Sequence, residues 1–187
     1  MFIRSARLFL RPGWPEDWSE IFAQIADEAV VRNLSQVPWP YTPEAAHQFA
    51  GLPQDARCPH FLVTLPGAEG ARLVGCVGLK SSPIGAELGY WFGRAFWNRG
   101  FATEATSAVL KLAKTLGHRE LSAWHFLDNP ASGRVLRKSG FKPTGRVERR
   151  YSLARGGMAD SAEQAITLGD ASDCDGGDDG MGYKRAA

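Results

Sequence analysis

Cysteine is scarce. The 187 residues hold three, Cys58, Cys76 and Cys174, far apart and in no Cys-x-x-Cys pair. An odd, scattered set argues against a disulfide framework and against a zinc site, and it fits a reducing cytoplasm. Long apolar runs are missing too. None approaches the length that spans a bilayer, so no membrane partner is expected. The opening MFIRSARLFLRP breaks its apolar residues with arginines and lacks the continuous apolar segment and cleavage site of a signal peptide. Neither sign of charge dominates: 22 Lys and Arg against 20 Asp and Glu give a formal net charge of +2, no reason to expect nucleic acid or an anionic surface. No His, Cys and Asp cluster has metal-ligand spacing, so no metal is expected. No Gly-x-Ser-x-Gly marks a nucleophilic serine, no Gly-Lys-Ser/Thr follows a glycine loop, and no three-glycine dinucleotide fingerprint follows a strand.

What is present is enough chain for one domain with a real core. The N-terminal stretch reads as an edge strand, with Arg7, Phe9 and Arg11 on one face and Leu8 and Leu10 on the other. Trp18, Ile21, Phe22 and Ile25 fall at helical spacing, EAVVRNLSQ suggests a second short helix, and Thr42 with Pro43 starts a third. Three strands follow at 60–65, 72–81 and 86–92, joined by short Gly/Pro connections that suit antiparallel hairpins. After a helix comes ELSAWHFL, apolar on both faces and expected to be central. PASGRVLRKSG is a helix ended by Gly140, and TGRVERRYSL and AEQAITL supply two last strands. Residues 1–169 are expected to form the domain. Residues 170–187, rich in Gly and Asp, are expected to be a disordered tail. The tail's aspartates do not have the spacing of a calcium loop.

The stretch WNRGFATEATSAVLKLAKTLG, residues 97–117, carries the functional signal. A helix start leaves its first N–H groups without intrahelical partners, and the dipole makes that end partly positive. Gly100 lets a ligand approach the backbone, Arg99 adds a cation, and Ala102 and Thr103 keep the first turn small. Ala105, Val109, Leu112 and Leu116 form the face that would dock on a sheet, and Gly117 stops the helix. A phosphate or pyrophosphate fits such an end. A glycine turn that merely starts a helix fits this stretch alone equally well.

AELGYWFG, then WNRGFATEA, then a strand, then NPASGRVLRKSGF together resemble the GNAT superfamily of acyl-CoA-dependent N-acetyltransferases, and within it the Rim-type branch, which includes enzymes that acetylate ribosomal-protein N-termini. The resemblance runs from RLFLRP to about ERRYSLARG. It implies an α+β fold: a mixed, strongly twisted sheet of six to seven strands flanked by helices and splayed between the fourth and fifth strands. It implies acetyl-CoA as co-substrate. The family's pyrophosphate loop, Gln/Arg-x-x-Gly-x-Gly/Ala, falls on Trp97, Asn98, Arg99, Gly100, Phe101 and Ala102, with tryptophan in place of the first Gln/Arg. Thr103 extends that site. The pantetheine arm would lie where the strand ending in Trp91, Phe92 and Gly93 parts from ELSAWHFL, beside Asn129 and Ser132.

Acetyl transfer to an amine needs a neutral nucleophile, a stabilised oxyanion and a protonated leaving thiol. Glu87 is the first candidate base, set in an otherwise apolar strand at a position where some similar enzymes carry one; it could equally face water. Glu28 is a second candidate on the acceptor side. A backbone N–H near Phe92 would serve the oxyanion. The tyrosine that many family members place seven residues after the motif asparagine is here Leu136, so Ser132 is the candidate acid, or else a helix-start hydroxyl bonded to backbone. His125 reads as a core histidine. Trp39 and Tyr41 would line the acceptor pocket or pack the core. The reading is an N-acetyltransferase that works by direct attack in a ternary complex on a primary amine, either a protein N-terminus or a small molecule. A non-catalytic acyl-CoA sensor is the alternative. A homodimer is compatible with the resemblance and is not required by any motif.

Overall fold

The computed structural model describes residues 1–82 and 85–169. The tail expected at 170–187 lies outside the described residues. The strands are β1 (Ile3–Arg4), β2 (Phe9–Arg11), β3 (His60–Leu65), β4 (Arg72–Ser82), β5 (Gly85–Phe92), β6 (Glu120–Phe126), β7 (Lys142–Ser152) and β8 (Gly157–Thr167). The helices are α1 (Trp18–Ile25), α2 (Glu28–Val31), α3 (Pro43–Ala50), α4 (Phe101–Thr115) and α5 (Pro130–Lys138). The strands form one 8-stranded sheet in the order β1-β2-β3-β4-β5-β6-β8-β7. The eighth strand, beyond the six to seven expected, arises because the N-terminal stretch folds back on itself: Ser5 N–H bonds Leu8 O, and Ile3 pairs with Leu10.

Both faces of the sheet are covered, which is why β3 and β4 read as nearly unbroken apolar runs. Phe61, Val63, Val74 and Val77 pack under Ala105, Val109 and Leu136 of α4 and α5. Leu62, Leu73, Cys76 and Trp91 pack under Ile21, Val31 and Ala46 of α1, α2 and α3. The expected face of α4 is partly wrong. Ala105 and Val109 are buried, but Leu110 and Ala113 complete the stripe, and Leu112 and Leu116 lie at its margin. Fully buried Ala113 lets the last turn sit close to the sheet, where a leucine would stand it off.

Every strand pair is antiparallel except β5 with β6, and that ladder is short: Ala86 pairs with Leu121 and Glu87 with Ser122. Beyond Glu87 the two strands part. On the other side of β5, β4 carries a bulge at Val74, where Val63 opposes Gly75 and Thr64 opposes Leu73. Gly75 is obligatory there, since a Cβ would sit 2.3 Å from Trp91 O. Gly93 N–H bonds Val74 O. By antiparallel alternation the N–H groups of Phe92 and Tyr90 then point away from β4, into the gap beside β6.

A largely buried ion pair fixes the entry to α1. Arg11 forks onto Asp17, Nη1 to Oδ2 at 2.7 Å and Nη2 to Oδ1 at 2.6 Å, and Trp14 N–H donates to Oδ2 at 2.7 Å. Burial pushes the Asp17 carboxyl up, but the Arg11 and Trp14 bonds outweigh it and hold it below the usual carboxylate range. Stability drawn from a depressed carboxylate is present above its unfolded value, about 3.9, and is lost as pH falls through the lower folded value. Asp17→Asn is expected to cost about 3 kcal/mol at pH 7 by urea unfolding, with the deficit shrinking below about pH 4 as the parent protein loses the same contribution.

Candidate active site

The start of α4 is built to leave amides open. Asn98 and Gly100 both adopt left-handed backbone, with φ of 59° and 78°, and between them turn the chain sharply into the helix. No side chain caps the end, and the first helical bond runs from Glu104 N–H to Gly100 O. The amides of Phe101, Ala102 and Thr103 therefore have no partner within the helix. They open on a cleft of about 530 Å³. The loop is braced from behind. Glu104 accepts from Arg7 N–H at 2.7 Å, Arg7 Nε at 2.7 Å and Ser5 Oγ at 2.8 Å, while Arg7 Nη1 donates to Arg99 O at 3.1 Å. Trp97 Nε1 donates to Phe92 O at 2.7 Å and ties the loop to the end of β5.

Of the residues expected around acetyl-CoA, Trp91, Phe92, Trp97, Asn98, Gly100, Phe101, Ala102, Thr103, Asn129 and Ser132 line this cleft. Gly93 and Arg99 do not. Gly93 packs on Gln24 and bonds β4. The Arg99 guanidinium lies over the rings of Phe101 and Phe96, at 5.1 Å and 6.0 Å. Two cleft cations escaped the sequence reading, Arg134 and Lys138. They stand four residues apart on α5, so their shared face was available from spacing.

Asn129 caps α5 by accepting from Ser132 N–H at 3.2 Å. The Ser132 hydroxyl does not turn to backbone. Its Oγ lies 2.7 Å from the hydroxyl of Tyr90, which also contacts Ser132 O at 3.1 Å. Tyr90 is the third residue missed. Leu136, at the position expected for a tyrosine, is buried in the core, and Tyr90 brings a phenol to Ser132 from β5 instead. Burial pushes the Tyr90 phenol up to about 12, against the opposing bond from Ser132, so it stays protonated at neutral pH.

A second cavity, about 120 Å³, lies where β5 and β6 part. It shares Asn33, Leu34, Tyr90 and Ser132 with the cleft. Glu87 lines it, forked by Arg150 of β7 at 3.3 and 3.4 Å. His125 also lines it, with its ring against α5 at Gly133, where burial and then the charge of Arg137 hold its pKa below the usual histidine value. Glu28, Trp39 and Tyr41 line neither space. Tyr41 is core, stacked on Phe22 at 6.3 Å. Trp39 is exposed, and so is Glu28, on the first turn of α2. Among the described residues no cluster of His, Cys, Asp and Glu could hold a metal, and no helix is long and apolar enough to cross a membrane.

Residues 7–142 match the Acetyltransferase (GNAT) domain family. A Bacillus subtilis (strain 168) protein called "Uncharacterized N-acetyltransferase YoaA" is 30% identical over 173 residues, covering 88% of this chain and 95% of that protein. The crystal structure of a GNAT-family acetyltransferase from Bacillus anthracis superposes with a TM-score of 0.77 at 26% identity, over 90% of this chain and 99% of that one. An acetyltransferase from Salmonella typhimurium that modifies the N-terminal serine of ribosomal protein L7/L12 gives 0.73 at 20% identity, over 89% and 99%.

Proposed function

The chain belongs to the GNAT family of acetyltransferases, which use acetyl-CoA, and from that premise we propose that it transfers an acetyl group directly to a primary amine held beside Glu87. One observation carries the reading: the anion-ready cleft and the cavity containing Glu87 meet at Tyr90 and Ser132. A donor in one and an acceptor in the other would touch there.

The residues present fit the donor. The open amides of Phe101–Thr103 suit a diphosphate, and Arg134 and Lys138 add positive charge to the same cleft. Bound there, acetyl-CoA supplies an acyl group activated as a thioester. The chain supplies the rest. Glu87 takes a proton from the acceptor amine. The Phe92 or Tyr90 amide, aimed into the gap, receives the developing oxyanion, an effect on the order of 3 kcal/mol per donor. Ser132, backed by the Tyr90 hydroxyl, gives a proton to the leaving sulfur.

Thiol release tests this. Acetyl-CoA alone should raise the melting temperature, and free thiol should appear only when an amine is added. Ser132→Ala and Tyr90→Phe should lower kcat about 10-fold or more, with little change in KM for acetyl-CoA. The deficit should shrink with an acetyl thioester of a more acidic thiol, which leaves without a proton. A deficit independent of the leaving thiol would remove both residues from protonation.

A further inference from the structure

Glu87 is not idle in the cavity. Its partner Arg150 lines the same wall, and the two bring one charge of each sign into a space of about 120 Å³. That volume is far below the roughly 300–1,000 Å³ of pockets for drug-sized ligands. It takes a group of a few heavy atoms, not the body of an oligosaccharide.

The pair is loose. Its contacts of 3.3 and 3.4 Å are long for a charge-assisted fork, where 2.7–2.9 Å is usual, and long beside the 2.8 and 2.9 Å of Arg155 on Asp128. Both side chains keep partial exposure, 32% and 27%. The Arg150 guanidinium rests on the Trp124 ring at 4.8 Å. Its strand is nonetheless anchored: Ser152 Oγ donates to Leu34 O at 3.1 Å, and Leu153 N–H to Ser35 O at 3.0 Å. A fixed backbone with a lightly held head group suits a side chain that changes partners.

Resting on the acetyl-transfer reading above, we propose that the acceptor is a free amino acid, with its ammonium received by Glu87 and its carboxylate by Arg150. The exchange conserves charge pairing. An ammonium that draws Glu87 away leaves Arg150 without its counter-ion. A peptide N-terminus offers only a neutral amide at that distance, and a polyamine brings a second cation toward Arg150. An α-carboxylate fills the vacated place. In the transfer the acceptor nitrogen bonds to the acyl carbon as the carbon–sulfur bond breaks, with the electron pair leaving on sulfur. The ammonium gives one proton to Glu87 before attack; a second leaves the nitrogen as the amide forms and replaces the one that the Ser132 hydroxyl passes to sulfur, so Ser132 ends neutral. The carboxylate stays on Arg150 throughout.

Matched acceptors test this at saturating acetyl-CoA: each free amino acid, the corresponding amino acid amide, a dipeptide amide and putrescine, assayed by thiol release. The preferred free acid should exceed its own amide at least 30-fold in kcat/KM. Arg150→Gln should bring that ratio within about 3-fold, chiefly through KM, and Arg150→Lys should retain part of it. Calorimetry without acetyl-CoA should detect the free acid binding to the parent protein and not to Arg150→Gln. Amides or peptides that match the free acids, or a ratio that survives in Arg150→Gln, would overturn the assignment and leave acetyl transfer standing. No thiol release with any amine would sink the transfer reading and this one with it.

Discussion

Gly100→Glu is expected to reduce affinity for acetyl-CoA at least 100-fold in a calorimetric titration. Three effects add. At φ 78° any side chain strains the backbone, by roughly 1–2 kcal/mol for an L-residue in the left-handed region. A Cβ there would stand 3.4 Å from Arg7 Nη2, on the guanidinium that holds both Arg99 O and Glu104. A carboxylate at this spot competes for Arg7 and loosens the brace behind the loop. It also sets a negative charge at the helix end whose amides and dipole would otherwise receive a diphosphate. Gly100→Ala separates the effects. It carries the backbone strain alone, because the tip of Arg7 can give way, and should lower stability by about 1 kcal/mol with a much smaller loss of affinity. Near-normal binding by Gly100→Glu would mean that the amides of Phe101–Thr103 do not hold the donor, and the reading of the cleft would go with it.

The loop was legible in the sequence because its chemistry is local. A glycine, small residues and a helical stripe within 97–117 specify an open helix end without reference to the rest of the chain. Capping was equally plain: Thr42 accepts from Ala45 N–H at 3.2 Å, and Gly140 takes φ 98° behind α5. What depends on distant packing was not legible. The bracing of the loop joins Arg7 to Glu104, two ordinary surface charges in sequence. Tyr90 reads as one aromatic in an apolar strand, and only the parting of β5 from β6 turns its hydroxyl to Ser132, 42 residues on. Arg150 sits in a run of arginines that looks like a solvated edge, and its meeting with Glu87 spans 63 residues. Tyr41 reads either way, as pocket lining or as core, because a proline-rich loop has no period to decide it; burial in the α1–α3 core claims it and pushes its phenol up to about 12.

Glu87→Gln should lower kcat by about 100-fold at pH 7 and leave acetyl-CoA affinity within about 2-fold of the parent. The substitution keeps size and shape. Position 87 is the last rung of the short β5–β6 ladder, opposite Ser122, and pairs with Lys80 across β4, so its backbone is held from both sides. The amide oxygen can still accept from Arg150, and the ion pair it replaces is partly exposed, so stability should change by no more than about 1 kcal/mol. What glutamine cannot do is take a proton. The α-ammonium of a chain end loses its own proton near pH 7.7–8.0, and that of a free amino acid does so higher, since its own carboxylate favours the charged form, so the need for a base fades only as pH rises past that range. The deficit of Glu87→Gln should therefore narrow steadily from pH 7 to about pH 9, and it should be smaller at every pH for a weakly basic amine already neutral in the assay. A deficit of constant size across that span, for both kinds of acceptor, would assign Glu87 to holding the acceptor and require another route for the proton. Full turnover at pH 7 would leave it only as the partner of Arg150.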